Sequence, residues 1–143
     1  MTQIQETFEI HASPETVFDR INDVESTSDY GGLIHSVRIV GSDVSGEDIY
    51  RYKIIVAGIP LTWDSKITER IRPSRICWES IKGIELKGSF ELTPSQYGSN
   101  ILFQMKYHVP YPLLSTLLEP LLSPLARKIA KEAVEHLKAH LSQ

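Results

Sequence analysis

Apolar and polar residues alternate along most of the chain, which is the pattern of half-buried β-strands. The first alternating run, TQIQETFEIHA, predicts a strand over 3–11. Six further runs, separated by turn sequences rich in Gly, Pro, Ser and Asp, predict strands over 33–41, 48–57, 61–71, 75–83, 86–93 and 100–109. The connections are too short for helical crossovers, so we expect neighbouring strands to pair antiparallel.

Helical signals flank this block of strands. Ser13 followed by Pro14 is an N-cap with proline at the first helical position, and it predicts a short helix after the first strand. A second helical turn or loop is expected in DVESTSDYGG. After the last strand the apolar residues recur at helical spacing, and Ser123-Pro124 repeats the start signal. This predicts a short helix over 113–121 and then a long helix from Pro124 to about Leu141.

These elements predict one α+β domain over residues 1–143. A sheet of six or seven antiparallel strands leaves one face that needs cover, and the long C-terminal helix carries an apolar stripe that can cover it. We therefore expect an antiparallel sheet that this helix covers on one face, with one or two short helices after the first strand.

Three stretches of the chain carry a family resemblance: IHASPETVFDRINDVES, then TWDSKITERIRPSRICWES, and finally GSFELTP with GSNILFQMKYHVP. Together they resemble the START-like (SRPBCC) superfamily. Within the superfamily the chain resembles the polyketide cyclase/dehydrase proteins and the coenzyme-Q-binding Coq10-type proteins. The resemblance implies a helix-grip fold, in which a curved sheet wraps around the long C-terminal helix and two short helices follow the first strand. It also implies a cavity between sheet and helix, and apolar ligands of a lipid, isoprenoid, quinone or polycyclic kind.

Alternation assigns one face of each strand to the interior. The large residues on that face are the candidate ligand contacts: Tyr52, Trp63, Trp78, Phe90, Phe103, Met105 and Tyr107. Polar tips recur there, including Ser65 and Ser80. Buried hydroxyls need partners, which a ligand, core water or backbone carbonyls could supply. A close-packed core is the alternative interpretation for each of these residues.

The stretch VPYPLLSTLLEPLLSPLA, residues 109–126, crowds leucine and proline together. We interpret it as a mobile cover of the cavity in which Pro120 and Pro124 uncouple the short helix from the long one. Leu117 and Leu121, together with Leu114 and Leu118, would close the mouth against the TSDYGG loop, where Tyr30 offers a hydroxyl. A dimer patch, a transient membrane-surface contact and plain core packing are the alternatives.

Bulk properties exclude several classes of protein. The net charge is −3 over 143 residues, and no aromatic platform joins the basic residues near the C-terminus, so nucleic-acid binding is not expected. No apolar run reaches the ~18 residues that a membrane helix needs. The N-terminal residues lack the basic and apolar regions of a signal peptide. Cys77 is the single cysteine, which favours a reducing compartment and hence the cytoplasm.

Candidate chemistry is sparse. His136 and His140 are spaced to share a helical face, but no third ligand accompanies them, so we expect no metal site. By alternation, Glu69 is assigned to the inner face at a strand end, beside Arg70. It could pair with Arg70 or Arg72, or act as an acid in the cavity. No phosphate-binding loop or nucleophile motif is present, and we expect no cofactor and no catalytic residue.

The sequence therefore favours a carrier or binding protein for an apolar small molecule. A cyclase or dehydratase that uses the same cavity is the alternative from the enzyme class. A protein-interaction module similar to the ribosome-associated toxin branch of the superfamily is the second alternative. A titratable group that points into the cavity would distinguish the enzyme from the carrier.

Overall fold

The computed structural model describes residues 2–23 and 34–141. Seven strands are present: β1 (Thr2–Ile10), β2 (Ser36–Ser42), β3 (Asp48–Val56), β4 (Ile59–Ile71), β5 (Arg75–Gly83), β6 (Glu85–Ser95) and β7 (Gly98–His108). They form one open antiparallel sheet in the order β1-β7-β6-β5-β4-β3-β2. The predicted strands and their antiparallel pairing are confirmed, with boundaries that differ by a few residues.

Helix α1 (Pro14–Asn22) follows β1, as the Ser13-Pro14 signal predicts. The Ser13 hydroxyl oxygen accepts a hydrogen bond from the Thr16 backbone N–H at 3.3 Å. Val17 and Phe18 are buried and attach the helix to the sheet near β6 and β7. The second helical turn or loop predicted in DVESTSDYGG, residues 23–32, lies outside the described residues except for Asp23.

The prediction of two separate C-terminal helices is wrong. A single helix, α2 (Pro112–Leu141), runs for 30 residues with Pro120 and Pro124 inside it. Both prolines lie on the exposed side, whereas Leu118, Leu122 and Ala130 are buried against the sheet on the opposite side. Packing on both sides of the prolines therefore keeps the two halves in one helix, although proline removes a helical hydrogen bond.

Helix α2 covers the inner face of the sheet. One core cluster joins residues of β1, β3, β4, β6 and β7 to Leu118, Leu122 and Ala130 of α2. A second cluster joins α1 to β4–β7 and to Val134 and Leu137 near the end of α2. Two irregularities in the β4–β5 pairing, at Asp64/Ser65 and Ile67/Glu69, locally increase the bend of the sheet in this region. The result is the predicted helix-grip arrangement.

Candidate functional site

A cavity of about 220 Å³ lies between the inner face of the sheet and α2. This volume is far larger than the roughly 10–15 Å³ that one water molecule needs. Strands β3–β7 supply Tyr52, Ile54, Trp63, Ile67, Ile76, Trp78, Leu86, Phe90, Ile101, Phe103, Met105 and Tyr107. Helix α2 supplies Leu122, Leu125, Ala126, Ile129, Ala130, Ala133, Val134 and Leu137, and Ile21, Ile34 and Ile84 complete the wall.

The structure brings together seven of the ten candidate ligand contacts in this wall: Tyr52, Trp63, Trp78, Phe90, Phe103, Met105 and Tyr107. Tyr30 lies outside the described residues. The placement of Leu117 and Leu121 in the cavity is wrong, because these side chains are 59% and 45% exposed. The next residues along the chain, Leu118 and Leu122, are the ones turned inward.

That error has a simple cause. Leucine occupies both positions of two adjacent pairs, 117–118 and 121–122, and leucine alone does not show which member of a pair faces the core. The continuous helix fixes the phase, because residues three or four apart share one face. Leu118, Leu122, Leu125 and Ile129 are on the face that packs on the sheet, so Leu117 and Leu121 are on the other.

Aromatic rings form two groups in the wall. Tyr52 and Trp63, which are paired across β3 and β4, stack with ring centroids 5.3 Å apart and planes 6° from parallel. Trp78, Phe90 and Phe103 form a second group, with centroid separations of 5.1 to 6.1 Å. Aromatic pairs at such distances hold each other in defined orientations. These two groups therefore give part of the wall a rigid surface.

Gly88 makes room for the Trp78 indole. It is paired with Trp78 across β5 and β6, and a Cβ atom built at Gly88 would lie 2.4 Å from Trp78 Cζ2. A residue with a side chain cannot occupy this position unless the ring moves. Glycine thus allows the indole to lie against the backbone of β6.

Polar atoms in the wall are few and uncharged among the described residues. The Tyr107 and Ser123 hydroxyls hydrogen-bond each other, which ties β7 to α2 between the two prolines. The Tyr52 hydroxyl makes no hydrogen bond to another described residue. Burial raises the pKa of the Tyr52 phenol well above its ordinary value, with a smaller effect from Tyr50. Tyr52 therefore stays protonated and offers a hydrogen-bond donor.

The other polar residues predicted on this face are satisfied by backbone. The Ser65 hydroxyl donates to the Glu79 carbonyl at 3.2 Å, and Ser80 Oγ accepts from the Leu86 backbone N–H at 2.9 Å. Each of these two hydroxyls therefore has a backbone partner without a ligand. They stabilise the irregular part of the β4–β5 pairing and its junction with β6.

The inward placement of Glu69 is wrong. The pairing shift between Ile67 and Glu69 reverses the alternation, so Glu69 pairs with Cys77 on the outer face and lies 3.9 Å from Arg75. A bulge of one residue moves every following side chain to the opposite face. No alternation-based prediction can place Glu69 correctly without knowledge of that bulge.

Sequence reasoning missed the contribution of alanine. Ala126, Ala130 and Ala133 line the cavity from α2, at helical spacing. Large residues at these positions would fill the space between helix and sheet. A run of small residues on the inward face of a helix that is otherwise rich in leucine was the available signal.

Metal-ligating side chains do not gather in groups of three or more within residues 2–23 and 34–141. No helix in those same ranges is long and apolar enough to cross a membrane.

A helix-grip domain with an apolar cavity is thus the class of protein that the fold and site define. The chain belongs to the family described as "Polyketide cyclase / dehydrase and lipid transport", whose model matches residues 1–142. No curated protein sequence matches the chain.

Solved structures share the fold. A protein of Thermus thermophilus matches with a TM-score of 0.80 and 19% identity, over 96% of this chain and 95% of that one. The aromatase/cyclase Zhui from Streptomyces sp. R1128 matches with a TM-score of 0.76 and 13% identity, over 98% and 95%. A START superfamily protein from Mycobacterium smegmatis matches with a TM-score of 0.73 and 16% identity, over 99% and 97%. At these identities the likeness concerns the fold alone.

Proposed function

We propose that the protein is a carrier that binds one neutral, apolar small molecule in the cavity between the sheet and α2. The observation that supports this most is the chemistry of the wall. Among the described residues it consists of aliphatic and aromatic side chains and contains no carboxylate, imidazole or cation. A concave, mostly apolar site with a few polar groups is typical of small-molecule binding.

The wall also favours a class of ligand. An anionic headgroup would lose its hydration and find no cation in exchange, which is costly. The Tyr52 hydroxyl, by contrast, can donate to a carbonyl or ether oxygen. We therefore propose a ligand whose body is aromatic, polycyclic or isoprenoid and that carries a neutral acceptor, as ketones and quinones do.

A carrier role agrees better with this wall than a cyclase or dehydratase role. Proton transfer at neutral pH needs a group whose pKa lies near 7. The raised pKa of Tyr52 makes it a poor general base, and Tyr107 is engaged with Ser123. The Tyr52 phenol is suited to orienting a ligand. We further propose a cytoplasmic location, in line with the single cysteine, Cys77.

The test uses three ligands of one shape. Delipidated protein is loaded with Nile red, a neutral dye, which is then displaced by acetylnaphthalene, ethylnaphthalene or naphthoate substituted at the same ring position. We expect the ketone to bind roughly three- to tenfold more tightly than the hydrocarbon, the factor that one net hydrogen bond gives. The naphthoate anion should bind weakest.

The Tyr52→Phe variant isolates the hydroxyl. It should bind ethylnaphthalene as the wild type does and lose the preference for the ketone. The control is Tyr97→Phe, since Tyr97 is exposed at the turn between β6 and β7. If none of the three compounds displaces Nile red, or if naphthoate binds best, the proposed function is wrong.

A further inference from the structure

The outer face of α2 carries exposed apolar side chains that ligand binding in the cavity does not require. Leu113, Leu117 and Leu121 follow one another at intervals of four residues and are 89%, 59% and 45% exposed. Tyr111, Pro120 and Pro124 are exposed beside them. Single exposed apolar residues are normal, but a continuous apolar strip on one face of a helix indicates a surface that binds something.

Charge is absent from this strip and concentrated directly after it. The exposed residues of the next two turns include Arg127, Lys128 and Lys131, which continue along the same side of the helix because α2 is unbroken. Glu119, the acidic residue in the apolar half, is turned toward β7, where it contacts His108 and the Val109 N–H. The outer face of α2 is therefore apolar in its first half and basic in its middle.

Such a face fits the surface of an anionic membrane. Leucines at this spacing can enter the boundary between headgroups and acyl chains, while lysines just beside them contact lipid phosphates. A second copy of the chain fits less well, because two such faces packed together would bring Lys128 and Lys131 close to their counterparts or leave them without anionic partners. Arg127 already pairs with Glu6 of its own chain. The helix lies on the membrane in this arrangement and does not cross it, in line with its apolar length.

We propose that the outer face of α2 from Leu113 to Lys131, together with Tyr111 just before the helix, docks on anionic lipid bilayers. Docking itself does not depend on the proposed carrier function; only its biological role, the uptake or release of a ligand, rests on that function. Leu118, Leu122 and Leu125 on the inner side of the same turns belong to the core and the cavity wall. Docking would bring the cavity to within one helix diameter of the bilayer, where an apolar ligand could be taken up or released.

The test is cosedimentation of the full chain with vesicles of phosphatidylglycerol and, separately, of phosphatidylcholine. We expect binding to phosphatidylglycerol that falls as salt is added, and much weaker binding to phosphatidylcholine. The Leu117→Gln/Leu121→Gln variant should lose roughly tenfold or more in affinity, because its apolar contacts are gone. Its control is Ile55→Gln/Ile81→Gln, two sheet residues that are each 50% exposed, which should bind as the wild type does.

The Lys128→Gln/Lys131→Gln variant tests the basic part of the face. We expect a loss of roughly fivefold for each lysine on phosphatidylglycerol and no change on phosphatidylcholine. Lys87→Gln/Lys106→Gln makes the same change in charge on an exposed cross-strand pair and serves as the control.

Three results would overturn the proposal. The first is no binding of the wild type to phosphatidylglycerol vesicles, and the second is unchanged binding of the leucine variant. The third is a wild type that sediments as a dimer and a leucine variant that sediments as a monomer, with no vesicle binding by either. Nile red displacement by the same variants separates this proposal from the carrier function. Because Leu117 and Leu121 do not line the cavity, their replacement should leave displacement unchanged whether or not the protein docks on lipid.

Discussion

At the scale of single residues, Gly88 fixes the position of Trp78 in the cavity wall. A Cβ atom at residue 88 would come within 2.4 to 2.8 Å of three atoms of the indole, and a ring in a packed wall cannot move away freely. We expect Gly88→Ala to lower the free energy of unfolding by about 1–3 kcal/mol, as overpacking does. Urea unfolding measures the loss, and tryptophan fluorescence reports the displaced ring.

Gly41→Ala is the matched control for that substitution. Gly41 also lies in a strand, and a Cβ atom there would meet nothing within 4 Å. Its replacement should change stability by no more than about 0.5 kcal/mol. Equal urea midpoints for wild type and Gly88→Ala would mean that the ring is free to shift and that Gly88 does not hold it.

A second residue-scale prediction concerns Asp64 on the outer face of β4. Arg51 donates to both of its carboxylate oxygens, at 2.8 and 3.0 Å, and this pairing lowers the pKa of Asp64 below its ordinary value. A lowered pKa in the folded state stabilises the fold above about pH 4, and the contribution is lost as the pH falls through the folded-state pKa. At pH 7, Asp64→Asn should therefore cost about 1 kcal/mol, a value kept small because Arg51 is partly solvated.

The pH dependence is the distinguishing measurement. The difference in unfolding free energy between wild type and Asp64→Asn should shrink as the pH falls below 4, and urea titrations across that range would show it. Asp19→Asn is the control, because Asp19 makes the same two-point contact with Arg72 but both side chains are exposed. A cost for Asp19→Asn equal to that for Asp64→Asn would show that burial of the carboxylate is irrelevant.

At the scale of elements, the prolines of α2 remain the local weakness of a continuous helix. Proline donates no hydrogen bond, so the carbonyls of Thr116 and Pro120 lack their helical partners. We expect amides over 113–123 to exchange faster than those over 126–137. Pro120→Ala/Pro124→Ala should slow exchange in the first segment and stabilise the protein by about 1 kcal/mol or more, offset in part by the freer unfolded chain.

Hydrogen exchange with mass spectrometry checks this, with Pro94→Ala in β6 as the control. The same experiment tests the mobile cover that the leucine- and proline-rich stretch predicts. A mobile first segment should become protected when acetylnaphthalene binds. Uniform protection along α2, with no effect of the ligand, would assign residues 113–123 to plain core and exposed surface.

Strands were predictable from sequence because alternation is a local pattern. Each half-buried strand places successive side chains on opposite faces, so Tyr52, Trp63 and Phe103 could be assigned to the interior without knowledge of their neighbours. That local pattern fails where pairing is irregular. The register shift between Ile67 and Glu69 depends on how β4 pairs with β5, so the sequence of β4 alone does not predict it.

The helix phase and continuity were not predictable for a related reason. Pro120 and Pro124 carry a strong local signal for a break, and local signals are overridden when both flanking segments pack on the same sheet. Which leucine of each adjacent pair faces inward is likewise decided by the sheet. The cavity itself depends on what remains unfilled between elements, so the sequence predicts its wall better than its volume.

At the scale of the whole molecule, the described fold has a cavity between the sheet and α2, where a domain of this size could instead have a close-packed core. Empty apolar space costs stability, because the atoms around it lack contacts on one side. The alanines on the inner face of α2 keep side-chain volume low around that space, and Gly88 lets the Trp78 indole lie against the backbone of β6. This choice of small residues is understandable if a ligand supplies the missing contacts.

Ala133→Phe tests that relation between stability and binding. The new ring would extend from α2 into the cavity, replace part of the missing packing and leave no room for a ligand. We expect the ligand-free variant to be as stable as the ligand-free wild type or more stable by about 1–2 kcal/mol. The matched control, Ala139→Phe, places the same ring on the exposed side of the same helix and should retain binding.

Thermal and urea unfolding with and without acetylnaphthalene then separate the two effects. Ligand at roughly 100 times its dissociation constant should stabilise the wild type and Ala139→Phe by about 2.7 kcal/mol. It should leave Ala133→Phe unchanged, because that variant has no space to bind it. If the ligand stabilised Ala133→Phe as much as the wild type, the binding site would lie elsewhere on the molecule. If ligand-free Ala133→Phe were less stable than the wild type, the cavity would be too tightly packed to accept a phenyl ring.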